Sequence, residues 1–369
     1  MSLSHGSPDE LKSGRKSSVY VIVPAFNGAG TIERFLSTFH DTTAGGNVRL
    51  LVVDNHSTDE TVPLIRSRAP EAELICNQEN RVYAGACNQG MEIALARGVD
   101  ACILANQDIG FEPGWLEPLV SALREDPTIG AAQPLILLYP ETHLINSRGN
   151  ALHYLGFGFT RDYRRPLPEL FVEKQMGCAY CSGALVAYSS VALSRIGLFD
   201  ESYFMYHEDT DLSWRLRSAG YRTIVVPESR ATHEYEFSRS IKKFYFIERN
   251  RLLTLFRNYE ARTLFLILPM LAFWEGGLLL YSLLGGILFK KTVSPSEKIA
   301  VYGYFFKPKV WIRILQARWR IASLRRLGDR DLFGLFSDRI EFQDIQNPLL
   351  DRLANPITHW YWRMVKRFI

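Results

Sequence analysis

The stretch VYVIVPAF (19–26) is apolar at nearly every position, so it has no polar face to turn to water. A strand of that kind needs cover on both sides, which a parallel sheet between two helical layers provides. The chain then supplies that cover. NGAGTIERFLSTF follows at once, a Gly-containing turn running into an amphipathic helix. VRLLVVDNHSTDET (48–61) repeats the plan, with a polar turn and a helix through Ile65. AELICNQE and GVDACILANQD (98–108) are two further strands, separated by a helix over about Gly85–Arg97. GCAYCSGALVAYSSVAL (177–193) adds a strand and turn, and YRTIVVP closes the series. Strand–helix alternation of this length predicts one α/β domain.

In such sheets ligands sit at the carboxyl ends of the strands. The polar residues fall there: Asn27, Asp54, Asn55 and the run Asn106–Asp108. Neither a GxGxxG nor a GxxxxGK[ST] loop is present, which sets aside the usual dinucleotide and P-loop readings. A strand-end carboxylate such as Asp54 can accept from a nucleobase or ribose, or simply close an Asx turn. Asp108 has the oxygen chemistry for Mg²⁺ or Mn²⁺.

YHEDTDLSWRLRSAGYR (206–222) raises a sharper question, because it sets Glu208, Asp209 and Asp211 at the start of a helical run. Acids in a first turn gain ~0.3–1 kcal/mol each from the amide end of a helix. A clustered carboxylate with a raised pKa would also serve as a general base. Both readings stand on these residues alone.

The remainder of the chain differs in kind. TLFLILPMLAFWEGGLLLYSLLGGILF (263–289) has 27 residues and one charge, Glu275. That length suffices for a bilayer, which takes about 20 apolar residues. Pro269 and the Glu275–Gly277 run interrupt it, and both flanks are basic, so a shallow re-entrant hairpin is expected. FFKPKVWIRILQARWRIASLRRL (305–327) mixes Trp, Ile and Leu with Lys and Arg, the composition of a helix lying in a headgroup layer. Residues 290–369 carry 16 Lys+Arg against 7 Asp+Glu, while the whole chain is only +4. The basic tail points to an anionic membrane surface; basic residues interleaved with apolar ones do not suit a solvated nucleic-acid groove. Five cysteines without framework spacing, CAYC included, read as buried reduced thiols. Residues 1–18 are polar and lack an apolar signal core, so a flexible lead is expected. The domain reading is therefore a lead over 1–18, a catalytic unit over 19–250 and a membrane-associated helical region over 251–369.

VIVPAFN, VVDNHSTDET, NQGMEIA, LANQD, CSGALVAYSSVALSRIGLFDESYFMYHEDTDLSWRLRSAGYR and VVPESRATH come in the order seen in family 2 glycosyltransferases. The chain resembles bacterial rhamnosyltransferase-like members over about residues 19–250. The resemblance implies a GT-A fold and an enzyme that transfers a sugar from a nucleotide diphosphate donor with inversion. It implies that Pro24, Ala25, Phe26, Asn27 and Asp54 line the nucleotide site, and that Asn80 and Asn88 lie in a segment closing over it. Asn106, Gln107 and Asp108 stand at the family's DxD, with Asp108 a ligand to Mg²⁺ or Mn²⁺ and His233 a second ligand. The HED acids stand at the family's base, with Asp209 first and Glu208 second; Asp211 is left to cap or to pair with Arg215 or Arg217. Three departures are visible. Val82 replaces a common Gly, NQD has one acid rather than two, and no Gly pair follows His233. QARW (316–319) is one residue short of the processive QxxRW and lies beyond the apolar stretch. The expected activity is sugar addition, from dTDP-rhamnose or a UDP-sugar, to a membrane-held, lipid-linked glycan at the cytoplasmic face of the membrane. A soluble acceptor, and a catalytically idle membrane scaffold, are the alternatives.

Overall fold

The computed structural model describes residues 18–43, 48–167, 175–235, 243–288, 295–341 and 350–369. The polar lead lies, apart from Ser18, outside the described residues. The chain runs β1 (Val19–Ala25), α1 (Ile32–Thr43), β2 (Val48–Asp54), α2 (Thr61–Arg68), β3 (Glu73–Cys76), α3 (Val82–Ala96), β4 (Ala101–Ala105), β5 (Ile109–Phe111) and α4 (Leu116–Glu125). It continues through β6 (Ile129–Leu138), β7 (Ile145–Ser147), β8 (Asn150–His153), β9 (Gly158–Thr160), β10 (Met176–Gly177), β11 (Leu185–Ser189), α5 (Ser190–Ile196), α6 (Glu208–Ser218) and β12 (Arg222–His233). The C-terminal part holds α7 (Phe244–Asn258), α8 (Ala261–Leu288), α9 (Pro295–Phe305), α10 (Pro308–Leu324), α11 (Asp329–Leu332), β13 (Phe336–Ser337) and α12 (Asn355–Val365).

The main sheet has the order β10-β12-β6-β11-β4-β1-β2-β3. β1 pairs in parallel with both β2 and β4, and β2 with β3. β11 enters antiparallel between β4 and β6. The strand order reverses at β1, so the carboxyl ends of β1 and β4 flank the crevice where such sheets bind ligands. Along β1, Val19, Val21, Val23 and Ala25 enter one core, under α1 and α4. Tyr20 and Ile22 enter the other, under α3, α5 and α6. That two-sided burial is the physical reason VYVIVPAF carries no polar face. Cys178 and Cys181 lie buried in the second core, with their sulfurs 3.8 Å apart.

The apolar segment corrects the hairpin expectation. α8 is one continuous helix that runs through Pro269 and through Glu275–Gly277. Its residues Ala261–Leu283 are long and apolar enough to cross a membrane by length and composition. Ile267, Met270, Leu271 and Trp274 are buried against the rest of the protein, in a core shared with β8, α7 and α12. Phe265, Leu268, Phe273, Leu280 and Leu283 are exposed. Glu275 sits on the packed side. It pairs with Arg251 of α7 and, at 2.7 Å, with Lys298 of α9, while Glu248 meets Arg251 at 2.9 Å and Lys298 at 2.6 Å. Two acids and two bases thus neutralise one another where isolated charges would be costly. No change of direction falls within the described part of 263–289, which runs to Leu288, and Lys298 stands beside Glu275. α10 occupies most of the basic stretch expected over 305–327, and its Trp311, Ile312, Leu315 and Trp319 are exposed.

Candidate active site

Three strand ends and one helix start compose the site. At the end of β1, Gln107 holds the backbone of Phe26 from both sides: its Oε1 accepts from Phe26 N at 3.0 Å and its Nε2 donates to Phe26 O at 3.2 Å. A Cβ on Gly28 would lie 2.3 Å from the Gln107 amide, so this close approach requires glycine. Asn27, at φ 45°, donates from its backbone to Ser57 Oγ (2.9 Å) and accepts from Thr58 N (2.9 Å). Gln107 and Asn27 therefore join the ends of β1, β2 and β4 to one another. Pro24 and Ala25 finish β1, and Phe26 projects into solvent at 45% exposure. Asp54 ends β2 buried; its Oδ2 accepts from Ser57 N at 3.1 Å, and Oδ1 has no hydrogen-bond partner among the described residues. A buried carboxylate oxygen left open at a strand end is an acceptor suited to a nucleoside donor group.

The segment over this crevice is held by Asn55. Its Oδ1 accepts from Arg81 N (3.0 Å), and its Nδ2 donates to Val82 O (2.8 Å). Asn80 accepts from Val82 N at 2.7 Å. Val82 itself has φ 59°, so the backbone keeps a glycine conformation with a β-branched residue in it, an unfavourable arrangement. Asn88 has a different occupation from the one expected. It is buried, donating to Phe199 O (3.0 Å) and Glu201 Oε1 (3.1 Å) and accepting from Phe199 N (3.0 Å). Its amide is spent fastening the 199–201 segment to α3.

Asp108 and His233 come together through strand register. β5 pairs with β12 so that His233 stands opposite Ile109, next to Asp108. His233 Nε2 lies 3.3 Å from Asp108 Oδ1, and its Nδ1 lies 3.0 Å from Asn146 Oδ1. With its proton on Nδ1, toward the Asn146 oxygen, His233 would present an Nε2 lone pair beside the Asp108 carboxylate, and in that tautomer the two would fit a cation. Among the described residues no group of three or more His, Cys, Asp or Glu side chains could hold a metal. Two protein ligands with positions left for phosphate and water is the usual arrangement for Mg²⁺. Arg34 went unnoticed in the sequence: it donates to Asp108 O (2.9 Å) and Thr232 Oγ1 (2.8 Å), which fixes this corner.

The acid cluster starts α6. Its N-cap is His207, left-handed at φ 68°, with no side-chain cap bond, and all three acids lie in the first turn, at the amide end of the helix. Asp211 pairs with Arg215 at 2.7 Å and accepts from Tyr203 Oη (3.1 Å) and Asn258 Nδ2 (2.8 Å), so it is structural. Arg217 instead donates to the Ala179 and Leu332 carbonyls. Asp209 is partly accessible; its Oδ2 accepts from Gly183 N (3.1 Å) and its Oδ1 from Thr210 N (2.6 Å). Burial raises its pKa, and these amide bonds oppose the rise. Glu208 is buried, with Oε2 unpartnered among the described residues; burial, then the neighbouring Asp209 charge, push it up to about 8. The two carboxyls titrate as a pair: burial raises both, their mutual charge disfavours double ionisation, and the Gly183 and Thr210 amides favour the charged form of Asp209.

The two ends of the site meet at the Ser182–Ala184 loop. Gly183 N supports Asp209, Tyr83 Oη donates to Gly183 O at 2.6 Å, and Asn106 N donates to Ala184 O at 2.8 Å. Tyr83 and Gly183 were the other contributors missed in the sequence, although the SGA turn marks the spot.

Residues 20–197 match the family model described as "Glycosyl transferase family 2". The chain is 31% identical over 233 residues to an N-acetylglucosaminyl-diphospho-decaprenol L-rhamnosyltransferase of Mycobacterium tuberculosis, covering 58% of this chain and 75% of the relative. It is 27% identical over 236 residues to a pre-mycofactocin glycosyltransferase of the same species, covering 63% of this chain and 46% of that one. Among solved structures, GalNAc-T7 with UDP, GalNAc and Mn²⁺ superposes with a TM-score of 0.53 at 17% identity, over 68% of this chain and 49% of that one. The chain belongs to glycosyl transferase family 2, as a rhamnosyltransferase-like hexosyltransferase of the GT-A fold.

Proposed function

We propose that this enzyme moves a sugar, with inversion, from a nucleotide diphosphate donor to a lipid-linked glycan held at the cytoplasmic face of a membrane, and that Asp209 is the base. The observation that carries the reading is the Glu208–Asp209 pair, in which a partly accessible Asp209, supported by the Gly183 and Thr210 amides, stands beside a buried Glu208. Asp209 takes the proton of the acceptor hydroxyl. The acceptor oxygen forms its bond to the anomeric carbon from the face opposite the leaving group, and the bond from that carbon to the diphosphate oxygen breaks. Burial raises the basicity of Asp209, and the Gly183 and Thr210 amides keep it ionised. Asp54 Oδ1 receives a donor group of the nucleoside, and the Pro24–Asn27 turn flanks it, with Asn80, Asn106 and Gln107 shaping the walls. Asp108 and His233 hold Mg²⁺ or Mn²⁺, which when bound neutralises charge on the diphosphate. The mycobacterial relative, whose name carries a lipid-linked acceptor and rhamnose, supports dTDP-rhamnose as a donor and a prenyl-diphospho-sugar as an acceptor. A UDP-sugar is the other donor to test, since the superposed transferase holds UDP.

The exposed apolar residues of α8 and α10 support a peripheral seat on an anionic membrane. The test is turnover by the purified full chain with dTDP-rhamnose or UDP-sugars, Mn²⁺ and prenyl-diphospho-N-acetylglucosamine in vesicles. Transfer that vanishes in Asp209→Asn while donor binding persists is the expected result. Retention of most of the turnover would remove Asp209 from the role.

A further inference from the structure

The run Glu248–Arg249–Asn250–Arg251 on α7 is buried at all four positions and has no part in the reading above. Glu248 and Arg251 face the C-terminal helices, in the ion cluster with Glu275 and Lys298. Arg249 and Asn250 face the other way, onto the segment that leads into Glu208. Asn250 Nδ2 donates to the carbonyls of Tyr203 (2.8 Å), Met205 (2.7 Å) and Tyr206 (2.8 Å). Asn250 Oδ1 accepts from Arg249 Nε at 2.8 Å, and Arg249 Nη2 donates to Ser202 O (3.0 Å) and Tyr203 O (2.6 Å). The guanidinium fixes the amide. A flipped Asn250 would set its oxygen against three carbonyls and its NH₂ against a cation.

The segment so held is an unfavourable one. Phe204, Tyr206 and His207 all lie at positive φ, at 67°, 65° and 68°, with no glycine among them. Such residues persist only where the surroundings over-determine them, and they gather at functional sites. The next two residues are Glu208 and Asp209. A left-handed His207 sets the direction in which α6 begins, and with it where both carboxylates stand. Since the opposite face of α7 is tied into the ion cluster, the helix offers a fixed platform for that loop.

We propose that Asn250, oriented by Arg249, is a positioning residue for transfer: it holds the left-handed 203–207 loop and thereby presents the Glu208–Asp209 pair. The inference rests on Asp209 as the base. The experiment compares Asn250→Ala with Asn355→Ala in the full chain, by thermal unfolding and by kcat and donor KM across pH 5–9. Asn355 is also a buried amide clamping backbone, through Ile340 N (2.8 Å) and Ile340 O (3.0 Å), but outside this loop. Asn250→Ala is expected to lower kcat about 10- to 100-fold, as a misplaced catalytic group does, with donor KM unchanged and the acid limb of the kcat profile shifted. Asn355→Ala is expected to lose thermal stability with neither change. A folded Asn250→Ala with the parent kcat and pH profile overturns the proposal, and so does an equal kcat loss in Asn355→Ala. Should Asn250→Ala fail to fold, Arg249→Lys keeps the cation and loses the fork that orients the amide, and it is read in the same way. If Asp209→Asn stays active, the base assignment falls and this inference with it. If Asp209→Asn is dead and the Asn250 variant behaves as the parent, only this inference falls.

Discussion

Glu208→Gln isolates the buried half of the acid pair. The Glu208 carboxyl is raised from 4.5 to about 8, so between those values the unfolded chain is ionised while the folded protein keeps its proton. The folded state binds more protons across that window, and its stability therefore falls as pH rises through it. One pKa unit corresponds to 1.36 kcal/mol, which makes the loss about 3 kcal/mol by pH 7 and small at pH 5. Glutamine has nearly the shape of the protonated acid and does not titrate, so the variant escapes this loss. Unfolding entropy near 2.1 cal/mol/K per residue converts ~3 kcal/mol into a Tm gain of about 4 °C for a chain of this size. Other groups tilt the parent's curve. His207, lowered to about 4 by burial, and His153, lowered to about 3, destabilise the fold as pH falls below 6.5. The difference between variant and parent cancels these two; Asp209 titrates with Glu208 as a pair, so its contribution belongs to the difference. The measurement is Tm for both proteins at pH 5, 6, 7 and 8. A gap that opens as pH rises supports the reasoning. A constant gap, or a variant less stable than the parent at pH 7, refutes a protonated Glu208 in the folded state.

Asp108→Ala and His233→Ala should each weaken donor binding in Mn²⁺ and erase the difference between Mn²⁺ and EDTA; calorimetric titration of the parent with equal affinity in both would remove the metal role. Lys298→Met leaves two acids facing one Arg in the buried cluster and should cost about 3–5 kcal/mol, read from urea unfolding. A loss below 1 kcal/mol would show that the cluster does not hold α8 and α9 to α7. Replacing Ile312, Leu315 and Trp319, all exposed on α10, together with Ser should release the protein from vesicles rich in anionic lipid with little change in Tm. Unchanged sedimentation with the vesicles would remove α10 as the membrane face.

Much of the nucleotide-binding half was legible because its strands are buried on both faces and each carries its polar residue at one end. β1, β2 and β4 needed nothing beyond VYVIVPAF, VRLLVVD and ACILA. β6 was not read, since IGAAQPLILL opens on small residues and carries a Gln and a Pro, yet all ten positions are buried. β12 was read as YRTIVVP and in fact runs on to His233, across a register shift between Val226 and Arg230 that no alternation pattern records. Asn146 was invisible as a partner of His233 for the same reason, while Asp108 was set beside His233 by the family resemblance and is brought there by sheet register. Asn27 and Gln107 were legible as crevice residues, though not as the clamps they are. Pairings such as Asn88 with Phe199, 111 residues apart, leave no local trace at all.

The apolar helix shows how one charged residue outweighs a hydropathy average. Composition alone lets Ala261–Leu283 cross a bilayer. Glu275 is anchored to Arg251 and Lys298, and α7, which bears Arg251, also holds the loop ahead of the catalytic acids. At 1.5 Å per residue, the described part of α8 beyond Glu275 rises about 20 Å to Leu288, against a hydrocarbon core about 30 Å thick. A full crossing of the packed part would have to pull Glu275 away from two bases, taking its charge into lipid and leaving Arg251 and Lys298 with Glu248 alone. The exposed Phe265, Leu268, Phe273, Leu280 and Leu283 can instead enter one leaflet while the packed side stays on the protein. α10 offers Trp311, Leu315 and Trp319 to a headgroup layer in the same way. Membrane attachment that keeps the cluster whole would also keep α7 in place, so the proposed contact with a membrane-held acceptor would leave the platform beneath the proposed base undisturbed.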